Sequence, residues 1–180
     1  TWNWMRQSVS FTTIADQSTY APTAAPMSLT DFGNWVNYSF RVYQDGEVGN
    51  QLDLVHWQSY ELFRNAYLIG SLVTEASRPN DVVISPDKSI ILYPVPSDAT
   101  FTVTADYYSK PQVLALDTDE PNMPEEFHEL ILYRALMFAS QVEGAVDNYS
   151  IGEKEFRAMY SRLAVDQLPR MVVNRRGGAV

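Results

Sequence analysis

The sequence predicts an α+β fold: a C-terminal antiparallel helix pair, part of a helical bundle, with a large antiparallel β-rich insertion and an extended C-terminal tail. Three observations predict it. Short runs of alternating β-formers fill the first 110 residues. A stretch over 124–142 then repeats apolar residues at helical spacing. A second run, Phe156, Met159, Tyr160 and Leu163, follows at i, i+3, i+4 and i+7. The reading is one domain over 1–168, β-rich over about 5–110 and helical over about 124–168, followed by an extended arm over 169–180.

Trp2-Asn3-Trp4 places two indoles near the start, where packing is expected because large aromatics are seldom left fully exposed. The run 8–14 (SVSFTTI) alternates and reads as a strand, followed by a turn at Asp16-Gln17-Ser18 and a short strand from Thr19-Tyr20. Segment 28–34 is ambiguous, with Gly33 breaking it. The run 37–43 alternates again. Residues 44–50 have hairpin-loop composition, and 51–55 returns as the paired strand. A short helix is expected over 56–68. Runs 81–85 and 89–93 form the clearest hairpin, turning at Pro86-Asp87-Lys88. The run 100–109 is the best strand, with Phe101, Val103, Ala105 and Tyr107 on one face.

The main helix is expected to start at Pro124, since proline suits a first helical position. Glu125 and Glu126 occupy the first turn, where the helix dipole favours carboxylates. Phe127, Leu130, Ile131, Ala135 and Phe138 form its core or subunit face. Leu132, Leu136 and Met137 fill other faces, so the middle is apolar nearly all round and expected to be buried on several sides. Leu130, Ile131, Ala135 and Phe138 are expected to be buried whatever the function. Ser150 and Glu153 fit a capping box, which starts the second helix there and ends it before Pro169.

Composition narrows the chemistry. The chain has 180 residues, is 46% apolar and contains no cysteine, so a core is expected and thiolate metal sites and disulfides are excluded. No apolar run approaches a membrane span. The net charge is −9, the wrong sign for a protein that grips nucleic acid through its phosphates. Asp117, Asp119, Glu120, Glu125 and Glu126 form an acidic block, read as a solvated linker or an acidic channel surface. The tail carries Arg170, Arg175 and Arg176 and no acid. The first residue is Thr1, which leaves room for a segment ahead of it.

No catalytic, cofactor or metal site is assigned. Glu125 and His128 match the Glu-x-x-His of carboxylate-bridged metal bundles, but that site needs a second copy and further inward carboxylates, and the sequence has neither. His56, beside Trp57, is expected at a core rim. Asp117 and Asp119 could stand as a glycosidase dyad only across a sugar cleft. A solvated acidic linker is the commoner explanation.

The order of several motifs resembles the head-to-tail adaptor proteins of tailed bacteriophages, also called neck or tail-tubular adaptors. The resemblance begins with Trp2-Asn3-Trp4. It continues through Leu92-Tyr93-Pro94-Val95-Pro96, Tyr107-Tyr108 and Lys110-Pro111, then Leu114 or Leu116. Asp117-Thr118-Asp119-Glu120-Pro121 and Met123-Pro124-Glu125-Glu126-Phe127-His128 then lead into the apolar helix. Members usually carry helical sequence ahead of the Trp segment, a part that would lie before Thr1.

The resemblance implies a non-enzymatic structural protein of the virion neck, made in the host cytoplasm. It would form a homo-oligomeric, typically dodecameric ring that joins the portal to the tail and passes genome DNA without sequence-specific binding. A portal-docking arm would comprise Arg170, Met171, Val172, Val173, Arg175 and Arg176. A downstream tail or stopper protein would be a further partner, and no membrane is involved. Two other readings stay open: a carbohydrate-binding or peptidoglycan-degrading virion component, and a generic non-viral α+β interaction domain.

Overall fold

A computed structural model describes residues 2–168, apart from 45, 48, 71, 73, 74, 98 and 99. The chain divides into two compact units, Arg6–Lys110 and Thr1–Met5 together with Pro111–Val180. The expected docking arm, 169–180, lies outside the described residues.

The β unit is built on β11 (Phe101–Ser109), whose burial alternates along its length. Phe101, Val103, Ala105 and Tyr107 face the core, as the alternation predicts. β1 (Arg6–Thr12) pairs antiparallel along one edge of β11, from Arg6 opposite Tyr108 to Thr12 opposite Thr102. Two shorter strands share the other edge. β4 (Arg41–Gln44) takes the first half, β3 (Phe32–Trp35) takes the end, and β5 (Leu52–Asp53) pairs with β4. A second sheet runs in the order β2 (Thr19–Tyr20), β9 (Ile90–Tyr93), β8 (Asp81–Ile84), β6 (Val55–Trp57). A two-stranded parallel pair, β7 (Ala76–Ser77) with β10 (Val95–Pro96), stands apart.

Alternation on β8 and β9 explains the layering. Val82, Ile90 and Leu92 join the main core with Tyr20, Phe40 and Val103. Val83, Ile91 and Tyr93 point the other way, onto Phe63 of α1 (Tyr60–Tyr67). The second sheet is thus covered on both faces, and every β9 side chain is buried. The turn between β8 and β9 is fixed by polar contacts. Asp87 accepts bonds from the Ser85 and Ser89 hydroxyls. Lys88, at φ 69°, accepts the Trp35 indole N–H through its carbonyl at 2.8 Å.

The β unit departs from expectation in four places. Gly33 lies inside β3 and does not break it: a Cβ there would meet the Tyr108 carbonyl oxygen at 2.7 Å, so glycine permits the close pairing. The alternating segment 37–43 becomes strand only at β4. The segment 51–55 splits between β5 and β6, and β6 pairs parallel with β8, so the β portion is not wholly antiparallel. His56 and Trp57 belong to β6, and α1 starts later, where the Ser59 hydroxyl accepts the Leu62 N–H.

The helical unit holds α2 (Glu129–Glu143) and α3 (Val146–Gln167). Gly144, at φ 69°, ends α2 and lets the chain reverse within two residues. Three contacts show the helices antiparallel: Gly152 lies on Met137, the Arg134 guanidinium lies over Phe156, and Leu130 clusters with Leu163. Trp2 and Trp4 stack at 5.0 Å and pack into this cluster, which supplies the partner expected for both indoles.

Two helix starts are corrected. Pro124 does not open α2; residues Glu125–Phe127 form a 3-10 turn, and the His128 ring nitrogen Nε2 sits 2.8 Å from the Met123 carbonyl oxygen. Ser150 caps nothing, because α3 begins at Val146 and the Ser150 hydroxyl donates to the Asp147 carbonyl within the helix. Glu153 pairs with Arg157 at 2.6 Å.

Phe63 is the fully buried α1 side chain against the second sheet, with Tyr67 stacked on Tyr93 at 4.0 Å beside it. Phe63→Ala is expected to cost ~3–5 kcal/mol of stability, measured as a drop in the urea midpoint at unchanged m-value.

Candidate functional site

Helical geometry sorts the α2 side chains. At ~100° per residue, Leu130, Met137 and Ser140 fall on one side, and all three are buried. Ile131, Ala135, Phe138 and Val142 fall roughly opposite and form a stripe along the helix. Ile131 is 43% exposed, Phe138 56% and Val142 90%. Ala135 is also exposed. The expectation that Ile131, Ala135 and Phe138 are buried is therefore corrected for the single chain, whereas Phe127 and Leu130 are buried as expected. The physical reason is that α3 covers one side of α2, and the residues on the opposite side stay exposed among the described residues. The Arg134 guanidinium lies 4.5 Å from the Phe138 ring centroid and half-roofs it.

The acidic block lies before α2. Asp117, Glu120, Glu125 and Glu126 are exposed. Asp119 instead organises the backbone around it, since its Oδ2 accepts the Ala115 and Leu116 backbone N–H groups at 2.7 and 2.8 Å. Those bonds hold its carboxyl below the usual carboxylate range. The turn so formed projects Val113, 82% exposed, and Leu116, 68% exposed. In the sequence this turn is the run Val113-Leu114-Ala115-Leu116, between Pro111 and Pro121. Four consecutive apolar residues in a proline-bounded segment are the mark it leaves there.

His128 is engaged with the Met123 carbonyl. Among the described residues, no group of three or more His, Cys, Asp or Glu side chains is placed to hold a metal ion. His56 stacks on Phe40 at 6.0 Å and lies 5.0 Å from Tyr38. Both of its ring nitrogens are shielded from solvent without a hydrogen-bond partner among the described residues. Burial pushes its pKa down, against an opposing contribution from its own backbone. On the face of the first sheet away from the core, a polar hollow is lined by Arg6, Ser8 and Asp106 among others. Burial pushes the Asp106 carboxyl up, but the Ser8 hydroxyl and the Arg6 guanidinium at 2.5 Å outweigh it and hold it low.

An open apolar helix face and an ordered apolar turn equip a chain to bind other proteins. The comparison with known families agrees. The chain belongs to the SU10 adaptor protein family, which it matches over residues 1–179. This is a phage head–tail adaptor family, so the chain is a structural adaptor component of a virion and works in contact with other virion proteins. A search of curated proteins finds no match. Among the described residues no helix is long and apolar enough to cross a membrane.

Two measurements check this geometry. Phe138→Ala removes an exposed ring and is expected to change the stability of the monomeric chain by no more than ~0.5 kcal/mol. The lowered pKa of His56 means that below about pH 6.5 the unfolded chain takes up a proton that the folded chain resists. Stability therefore falls as pH drops through that value. The urea midpoint should decline between pH 7.5 and 5.5, and His56→Phe should flatten the decline.

Proposed function

We propose that this chain forms a homo-oligomeric ring, of the dodecameric type, that joins the portal of the phage head to the tail and lines the DNA channel in the virion neck. The observation that carries the reading is the open stripe Ile131, Ala135, Phe138 and Val142 on a helix whose opposite side is already packed. A side chain such as Phe or Val is worth ~1.5–3 kcal/mol when fully buried, so repeated neighbours gain by covering it. Family membership supports the neck as the place.

The acidic balance supports the channel. With a net charge of −9, carboxylates repel passing phosphates and keep DNA from sticking. Asp117, Glu120, Glu125 and Glu126 are the exposed acids assigned to that surface, and Asp119 shapes the turn among them. We assign 1–168 as the adaptor domain and 169–180 as the portal-docking arm. Arg170, Arg175 and Arg176 would supply charge there, and Met171, Val172 and Val173 would add a short strand to a portal sheet. A tail or stopper protein would take the far side.

Removing 169–180 should abolish co-sedimentation with the portal and leave the circular dichroism spectrum unchanged. Val142→Asp should weaken ring formation at least ~10-fold, equivalent to ~1.4 kcal/mol per interface, by analytical ultracentrifugation. A ring that survives Val142→Asp together with Phe138→Asp would sink the assignment of the stripe. Absence of any ring, alone or with portal, would sink the reading as a whole.

A further inference from the structure

We infer that the apolar turn of one copy, led by Val113 and Leu116, docks on the Ile131–Phe138 part of the α2 stripe of the next copy, with Asp117 meeting Arg134. The inference rests on the ring reading and names the two patches that would make its contact.

The turn has a defined shape that its own packing does not explain. Asp119 holds it from inside, and its N–H returns to the Leu116 carbonyl at 3.0 Å. Gln112 braces its base: its side chain donates to the Glu120 carbonyl at 2.9 Å and accepts the Asn122 N–H at 2.8 Å. Turns are usually polar at the tip, yet this one fixes two large apolar side chains in water. Its conformational entropy is already restricted before binding, which favours docking of a preformed knob.

The stripe on α2 complements this knob in charge as well as polarity. Arg134 lies over Phe138, and among the described residues no carboxylate comes within 4.0 Å of its guanidinium. Asp117 follows Leu116 directly, is exposed, and makes no ion pair among the described residues. An apolar contact flanked by a carboxylate on one side and a guanidinium on the other fits both patches. The patches differ from each other, so the contact is head-to-tail, and a head-to-tail contact is the kind that generates rings. Turn and stripe both belong to the helical unit, so every copy carries the two halves.

The chain has no cysteine, so introduced thiols report without background. Leu116→Cys and Phe138→Cys are placed in separate full-length copies, one carrying a size tag. They are mixed under ring-forming conditions, with portal present if it is required, and oxidised with copper phenanthroline. Leu132→Cys, off the stripe on the same helix, replaces Phe138→Cys in the control. The expected result is a 116–138 heterodisulfide at least ~10-fold above the 116–132 control. In addition, Arg134→Glu should lower assembly at least ~10-fold, and Asp117→Arg in the same chain should restore it.

Rings observed by electron microscopy without the 116–138 crosslink overturn this contact and leave the ring reading standing. Crosslinking of Leu116→Cys to the control position as strongly as to position 138 also overturns it, as does failure of the charge swap to rescue. Absence of rings from the unmodified chain, with or without portal, overturns both.

Discussion

Every side chain of β9 from Ile90 to Tyr93 is buried, so this strand needs apolar cover on both of its faces. Much of the β unit follows from that requirement. The first sheet supplies one cover, through Val42 and Val103, with Phe40 just ahead of β4. Helix α1 supplies the other, through Phe63, with Trp57 and Tyr67 around it. The polar ends of the second layer are satisfied: the Trp57 indole donates to Asp81 at 2.8 Å, and the Tyr93 hydroxyl donates to Glu75 at 2.7 Å. That bond to Glu75, first among the causes, raises the Tyr93 pKa to about 12, so the phenol remains a donor across the physiological range.

The helical unit answers the same kind of requirement differently. Helix α2 is apolar on opposite sides, and among the described residues α3 is its partner helix. Phe127, Leu130 and Leu163, with both N-terminal tryptophans, make a closed cluster around one side. The other side stays open among the described residues. For a structural adaptor, an uncovered side on an otherwise well-packed helix is a reason to assemble.

Legibility in the sequence followed the range of the signal. β11 and the β8–β9 hairpin could be read because period-2 alternation and turn chemistry are local. The parallel pairing of β6 with β8 could not, because strand partners 26 residues apart, such as Val55 and Asp81, leave no local mark. His56 and Trp57 continued an aromatic, helix-like spacing into α1, and only the Ser59 cap marks the true start. Ser150 and Glu153 imitated a helix start inside α3, with Gly152 lending the imitation support. The apolar periodicity of α2 is plain in the sequence, but periodicity states which residues avoid water and not whether the same chain provides the cover. That distinction separated Leu130 from Ile131, Ala135 and Phe138. Of the candidate contact residues, Arg134 and Leu116 were the hardest to see, since their relevance depends on a cation lying over a ring and on a turn held by Asp119.

Gly152 sets more than the spacing of a helix pair. A Cβ at that position would stand 3.1 Å from the Met137 Cγ and 3.4 Å from the Tyr133 carbonyl oxygen. The missing methyl therefore works as an index notch: it seats Met137 and fixes the rotational phase of α2 against α3. Slipping α2 by one residue would turn it by ~100°, carrying Leu130 and Met137 toward water and the stripe toward its own partner helix. What the chain offers its neighbours is then decided inside the fold, by an atom that is not there.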